Sequence, residues 1–154
     1  MANTVTRQVW EVLDRVAKGR TRADKIKRLK EYENLMPLRD VLQGAFDPRI
    51  QWNIPSGTPP YTPQVEGPPP PSSLLKEHLK FKYFVKGVRE SDDMLGVKRE
   101  RLFINILESV DARDAEALVN MVNKKPPVKG LTEQIVKEAL PDPIVTGKRL
   151  LRSI

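Results

Sequence analysis

Cysteine is absent from this 154-residue chain, which excludes disulfide bonds, thiolate zinc sites and cysteine nucleophiles. No apolar run approaches the roughly 20 residues that a helix needs to cross a bilayer. The N-terminal stretch MANTVTRQVWEVL lacks the charged start, apolar block and cleavage site of a secretory signal. We therefore expect a soluble protein in a reducing, intracellular compartment, with no membrane partner.

Side chains in catalytic arrangements are also scarce. His78 is the only histidine, and without a nearby nucleophile or second ligand it is typical of a structural or exposed residue. The carboxylates of Asp92, Asp93, Glu108 and Asp111 lie in a predicted linker or at helix ends, where capping and solubility explain them better than catalysis. No Walker loop, dinucleotide fingerprint, nucleophile elbow or zinc-ligand spacing occurs. The sequence thus predicts no enzyme, cofactor, metal site or small-molecule substrate.

Apolar residues at helical spacing dominate what is present. The clearest array, residues 97–141, predicts three successive helices. The first carries a wide apolar face. The second starts at Asp111, whose carboxylate is expected to accept the amide of Asp114, and the third starts at Thr132 and ends at Pro141.

Three more helices are predicted before residue 47. The first is capped by Asn3 or Thr4. The second is capped by Thr21 and has only a thin apolar stripe, which indicates an exposed helix. The third has Pro37 in its first turn and ends by Asp47.

Residues 47–71 have a different composition, because they hold 9 of the 14 prolines of the chain, counted along the printed sequence. Proline removes amide donors and fixes φ, so this segment is expected to be extended, with polyproline-II character. The favoured interpretation is an ordered tether with Trp52, Ile54 and Tyr61 docked on the core. A proline-rich ligand for a partner's aromatic groove, or disorder, are the alternatives.

A fourth helix is predicted from Ser72 or Ser73 to Gly87, followed by a polar linker at residues 89–93. Its KFKYFV stretch also alternates as a strand would. The fold prediction is an all-α single domain of six or seven short helices. Its parts are the N-terminal basic helices 1–46, the proline-rich connection 47–71, the helical array 72–141 of the same domain, and a basic tail 142–154.

Positive charge is the main functional signal, since the formal net charge is +7 and the isoelectric point about 9.7. Such a balance favours polyanionic partners. The densest cluster is the predicted nucleic-acid surface, in which Arg22, Lys25 and Arg28 are expected to share a face towards phosphates. A solvated helix face that keeps the protein soluble is the alternative. The cluster comprises Arg15, Lys18, Arg20, Arg22, Lys25, Lys27, Arg28 and Lys30.

Other basic or aromatic residues extend this hypothesis. Lys124, Lys125 and Lys129, and separately Lys98, Arg99 and Arg101, are candidates for a wider basic surface. No helix presents Asn, Gln or Arg in base-reading positions, so base-specific readout is not predicted. The candidate partner-binding residues are Trp52, Tyr61, Lys148, Arg149 and Arg152.

Two stretches resemble a family of small uncharacterised proteins from tailed bacteriophages. They are LRDVLQGAFDPRIQWNIPSGTPPYTP, and LFINILESVDARDAEALVNMVNKK followed by KGLTEQIVKEALP. The resemblance spans about Leu38 to Pro141 and brings no activity and no site residues with it. It implies a phage protein in the cytoplasm of the infected bacterial cell or in the virion.

The leading hypothesis is a non-enzymatic phage protein that binds DNA or RNA, or a nucleic-acid-handling complex, through the basic N-terminal helices. The alternatives are a virion-associated structural protein and a modulator of a host protein such as the transcription machinery.

Overall fold

A computed structural model describes residues 7–140 of the chain. Over these residues there are eight α-helices, one 3₁₀ helix and no β-strand beyond a single bridge between Trp52 and Val85. The all-α class is confirmed. The helices are α1 Val9–Ala17, α2 Arg22–Lys30, α3 Met36–Phe46, α4 Leu74–Glu77, the 3₁₀ helix His78–Phe84, α5 Arg89–Asp92, α6 Gly96–Ser109, α7 Ala112–Val122 and α8 Glu133–Ala139.

The number of α-helices exceeds the predicted six or seven because two of them are single turns. One is α5, which replaces the polar linker predicted at residues 89–93. No helix within residues 7–140 is long and apolar enough to cross a membrane. The predicted helix end at Pro141, the caps Asn3 and Thr4 and the tail residues Lys148, Arg149 and Arg152 lie outside the described residues.

Two of the predicted helix caps are formed by threonine side chains. Thr21 Oγ1 accepts the Asp24 amide at 3.0 Å, and Thr132 Oγ1 accepts the Ile135 amide at 3.3 Å, as predicted. Helix α1 begins at Val9, later than predicted, after an extended Gln8.

The start of α7 differs in one bond. The Asp111 carboxylate accepts the amide of Arg113 at 2.9 Å, so the predicted bond to the Asp114 amide is wrong. The side chain of Arg113 also pairs with this carboxylate, at 3.0 Å from Nε and from Nη2.

The predicted fourth helix is interrupted by a long-range pairing. It turns from α4 into the 3₁₀ helix and stops at Val85, whose backbone is extended. The Phe84 carbonyl accepts the Asn53 amide at 2.6 Å, and the Lys86 amide donates to Gln51 at 2.7 Å. These backbone groups are no longer free to continue a helix, so the predicted single helix to Gly87 is wrong.

The core lies between α3, α7, α1 and α6, with α8 packed against α2. Gly44 of α3 lies where this helix meets α7, beside Trp52 and Met121. The rings of Phe84 and Phe103 pack edge to face at 5.4 Å. This packing holds α1 and α2 as one edge of the molecule.

Residues 48–73 contain no helix and are tied to the C-terminal half by polar contacts. Asn123 accepts the Gly57 amide at 2.7 Å and donates to the Gly57 carbonyl at 2.9 Å. Glu108 accepts the Thr62 amide at 2.8 Å, and its carbonyl accepts from the Gln64 side chain. The segment follows the body of the protein, as the ordered-tether interpretation requires.

The aromatic residues of this segment are docked. Trp52 is only 8% exposed and its indole donates to the Gly44 carbonyl at 3.0 Å. This burial corrects the prediction that Trp52 contacts a partner, because the side chain is already used inside the protein. Tyr61 and Ile54 are partly buried against the same core, and burial raises the pKa of the Tyr61 hydroxyl.

Candidate nucleic-acid interface

Helices α1 and α2 and the turn between them carry all eight predicted cations. Six are exposed, while Lys25 and Arg28 are partly buried. The helices pack side by side, which brings the cations to one edge of the molecule. Their contacts divide them into a group that holds the fold together and a group that faces solvent.

The face predicted to contact phosphates is the face that packs on the protein. Arg22 forms an ion pair with Glu138 of α8. The Lys25 ammonium donates to the Gly130 carbonyl at 2.9 Å, just before α8. These two cations join α2 to the C-terminal part of the fold, so a phosphate would compete with contacts they already make, and their role as phosphate contacts stays a prediction.

Arg28 and Arg15 join α2 to α1. Arg28 donates to the Arg15 carbonyl at 2.8 Å and lies 3.4 Å from the Asp24 carboxylate. Arg15 pairs with Glu31 at 3.2 Å, and this hydrogen bond raises the pKa of Arg15. Exposed pairs of this kind contribute little stability each, but they orient both guanidinium groups along the protein.

The remaining cations point outward. Arg20, Lys27 and Lys30 are exposed, and their side chains have no ion pair or hydrogen bond to any residue in the described range 7–140. Lys18 pairs with Asp14 at 2.9 Å, and 72% of its side chain is exposed. We call Lys18, Arg20, Lys27 and Lys30 the outer basic surface.

The other basic candidates include two structural residues. Lys124 has a left-handed backbone, with φ of 58°, and donates to the carbonyls of Gly44 and Asp47 at 2.7 and 2.8 Å, at the C-terminal end of α3. Burial lowers the pKa of its ammonium to about 8. Arg99 donates to the carbonyls of Asn53, Ser91 and Met94. These two cations are satisfied inside the fold, which corrects the hypothesis that they extend a basic surface.

His78 is a structural histidine. Its Nδ1 lies 2.6 Å from an Asp40 oxygen, and both side chains are buried. Within residues 7–140, no three His, Asp or Glu side chains are grouped so that they could hold a metal ion. The partner of His78 lies 38 residues away, so its identity could not be read from local sequence.

A polar and aromatic cluster that no sequence motif predicts lies beside Lys18 of the outer basic surface. The Arg113 guanidinium lies 3.4 Å from the centre of the Trp10 ring. The Trp10 amide donates to the buried carboxylate of Asp114 at 2.9 Å. The contacts join α1 to α7 across more than 100 residues of chain, so no local pattern signals them.

The fold and this edge define a small all-α protein with a basic helical surface that is partly neutralised by its own contacts. The chain belongs to a family of unknown function, DUF6433, whose model matches residues 12–126. That match includes the whole cationic cluster. No curated protein and no solved structure matches the chain.

Proposed function

We propose that this protein is a non-enzymatic nucleic-acid-binding protein that contacts the phosphate backbone through the outer basic surface. The observation that carries the proposal is the solvent exposure of Arg20, Lys27 and Lys30 without a carboxylate partner in the described part of the chain. Lys18, which follows the last residue of α1, is held only by an exposed pair with Asp14. A net charge of +7 supports the same kind of partner.

The outward cations are better suited to phosphate than the inward ones. A cation without a protein partner binds a phosphate directly and releases the counterions of the nucleic acid, which drives association at low salt. Arg22, Lys25 and Arg28 would first have to break contacts within the fold. The contacts expected are sequence-independent, since they reach phosphate and not base edges.

The resemblance to phage proteins supports the proposal that this protein binds nucleic acid in an infected bacterial cell or in the virion. Of the two alternatives, a structural virion protein would use the proline-rich connection 47–71 and the basic tail as contact elements, and a modulator would bind a host protein such as the transcription machinery. Part of that proline-rich segment is already hydrogen-bonded within the protein, to Glu108 and Asn123. This observation favours the nucleic-acid proposal over the structural virion protein.

The test compares two triple variants with the same change in charge. In the outer variant, Arg20, Lys27 and Lys30 become Gln. We expect it to keep the melting temperature of the wild type and to bind a labelled duplex more weakly. If all three residues contact phosphates, the slope of log K against log salt falls in magnitude by about 2.7, since each contact contributes about 0.9.

The matched control replaces Arg22, Lys25 and Arg28 by Gln, which removes three charges from the inward side. We expect a lower melting temperature, because the contacts of α2 with α1 and α8 are lost. Below that temperature its salt slope should stay near the wild-type value. Equal slopes for the two variants would mean that net charge alone matters, and a wild type that does not bind at low salt would refute the proposal.

A further inference from the structure

A groove opens beside Trp10, between α1, α7 and the loop before α8. Its volume is about 320 Å³, at the low end of the roughly 300–1,000 Å³ typical of small-ligand sites. It combines an apolar wall with two cations and two carboxylates. The lining residues are Trp10, Leu13, Pro127 and Val128, with Lys18, Arg113, Asp14 and Glu116.

The stacked pair at one side of this groove suits a flat ligand. The Arg113 guanidinium covers the Trp10 ring at 3.4 Å and is held in place by two bonds to Asp111. Unpaired bases of nucleic acids stack on aromatic rings and on guanidinium planes. A base that enters the groove therefore meets a stacking surface that is already oriented.

Glu116 supplies a hydrogen-bond acceptor at the same place. It is exposed, and its carboxylate has no hydrogen bond or ion pair to the residues described, 7–140. It also lines an adjoining groove of about 390 Å³ with Tyr61 and Asn120. A carboxylate accepts from an exocyclic amine such as N4 of cytosine, and thymine offers no such amine.

Lys18 connects this groove to the outer basic surface, since it belongs to both. We propose that the groove binds an unpaired base of single-stranded nucleic acid, which stacks on the outer face of the Arg113 guanidinium that covers Trp10, donates its exocyclic amine to Glu116 and has its phosphate near Lys18. The proposal rests on the proposed function and adds a strand type and a base preference to it. Paired bases in a duplex are stacked on each other and do not reach the groove.

The experiment titrates the protein with short oligo-dC, oligo-dT and a duplex of equal length. Anisotropy of a label on the nucleic acid reports binding, and tryptophan emission reports a base placed on the Arg113–Trp10 pair. Trp52 is buried and acts as a constant background. We expect both single strands to quench Trp10 emission, the duplex to leave it unchanged, and oligo-dC to bind about tenfold more tightly than oligo-dT, as a charge-assisted hydrogen bond allows.

Two variants locate the site. Glu116→Ala removes an exposed carboxylate and should bring the ratio of dC to dT affinity close to one, whatever it does to absolute affinity. Trp10→Leu keeps apolar contact but removes the ring, and should weaken single-strand binding about tenfold or more while duplex binding stays the same. Because Trp10 also contacts α7, the melting temperature of the Trp10→Leu protein is measured as well.

The outcomes separate this inference from the proposed function. Equal binding of single strands and duplex, without quenching in the wild type, would overturn the inference and leave the phosphate-binding surface standing. An unchanged dC to dT ratio in Glu116→Ala would overturn the role of that carboxylate. Absence of binding to every nucleic acid at low salt would overturn both proposals. If Trp10→Leu fails to fold, the quenching in the wild type and the dC to dT affinity ratio of Glu116→Ala still test the proposed base site.

Discussion

Replacing Gly44 by alanine is expected to lower the free energy of unfolding by about 1–3 kcal/mol, as overpacking of a close helix contact does. A Cβ at this position would lie 2.5 Å from the Trp52 ring and 2.8 Å from the Met121 sulfur. Helix propensity alone would favour alanine by roughly 1 kcal/mol. The clash outweighs this gain because the Trp52 ring is held by a hydrogen bond and Met121 is fully buried.

The neighbours of Gly44 are fixed by more than packing. Its carbonyl accepts from the Trp52 indole at 3.0 Å and from the Lys124 ammonium at 2.7 Å. A shift of α3 away from α7 would strain both bonds, and a shift of the Trp52 ring would disturb its edge-to-face contact with Phe81. Any shift that relieves the clash would therefore disturb contacts of α3, of Trp52 and of Lys124.

Urea unfolding followed by tryptophan fluorescence and by circular dichroism measures the effect. Gly96→Ala is the matched control, since Gly96 is also helical and the nearest atoms to an added Cβ lie 3.8 and 3.9 Å away. The control should be as stable as the wild type or slightly more stable. If Gly44→Ala gained stability as the control does, the contact between α3 and α7 would have to be looser than the structure shows.

The features that could be predicted from the sequence are those set by residues a few positions apart, such as helix caps. Thr21 and Thr132 cap helices because a hydroxyl two or three residues from a free amide reaches it whatever the rest of the chain does. The break after Phe84 was missed because its cause is the backbone of Asn53, far away in sequence. Buried pairs such as Asp40 with His78 were missed for the same reason.

The direction in which each face of α2 points could have been predicted better from the position of its buried residue. Leu29 is the only buried residue of this helix. At about 100° per residue, Arg22 and Lys25 lie within roughly 40° of Leu29, whereas Lys27 lies on the opposite side. The spacing placed Arg22, Lys25 and Arg28 near one face but did not by itself say which way that face points. Taking Leu29 as the inward direction would have marked Arg22 and Lys25 as structural and Lys27 as exposed, but not Arg28 and Lys30, which both lie about 100° from Leu29.

Asp114 is fully buried at the start of α7. Its Oδ1 accepts the Trp10 amide, while Oδ2 has no partner among the described residues. Burial raises the pKa of this carboxyl from 3.8 to about 7, and the bond from Trp10 opposes the rise. The carboxyl thus lies between the first turns of α1 and α7, where its charge is costly.

The sign of the pH effect follows from linkage. Because the folded pKa lies above the unfolded value, the folded state binds more protons than the unfolded state between about pH 4 and pH 7. The stability contributed by this group is fully present below pH 4 and is lost as the pH rises through 7. A shift of about three units corresponds to about 4 kcal/mol at most.

Asp114→Asn should remove this dependence, since the amide keeps an acceptor for Trp10 and resembles the protonated carboxyl in shape and charge. We expect the variant to match the wild type near pH 4 and to be more stable at pH 8, by up to about 4 kcal/mol in urea unfolding. Helix N-termini attract the negative charge, but typically contribute only about 0.3–1 kcal/mol each. The burial cost should therefore prevail.

Asp111→Asn is the control of opposite sign. The hydrogen bond from Arg113 lowers the pKa of Asp111, so its contribution to stability is present above the unfolded pKa and lost as the pH falls through the folded one. This variant should be less stable than the wild type at pH 8 and approach it in acid. An Asp114→Asn protein that also lost stability at pH 8 would show that the buried carboxylate is ionised, with the two helix N-termini overcoming the cost of burial.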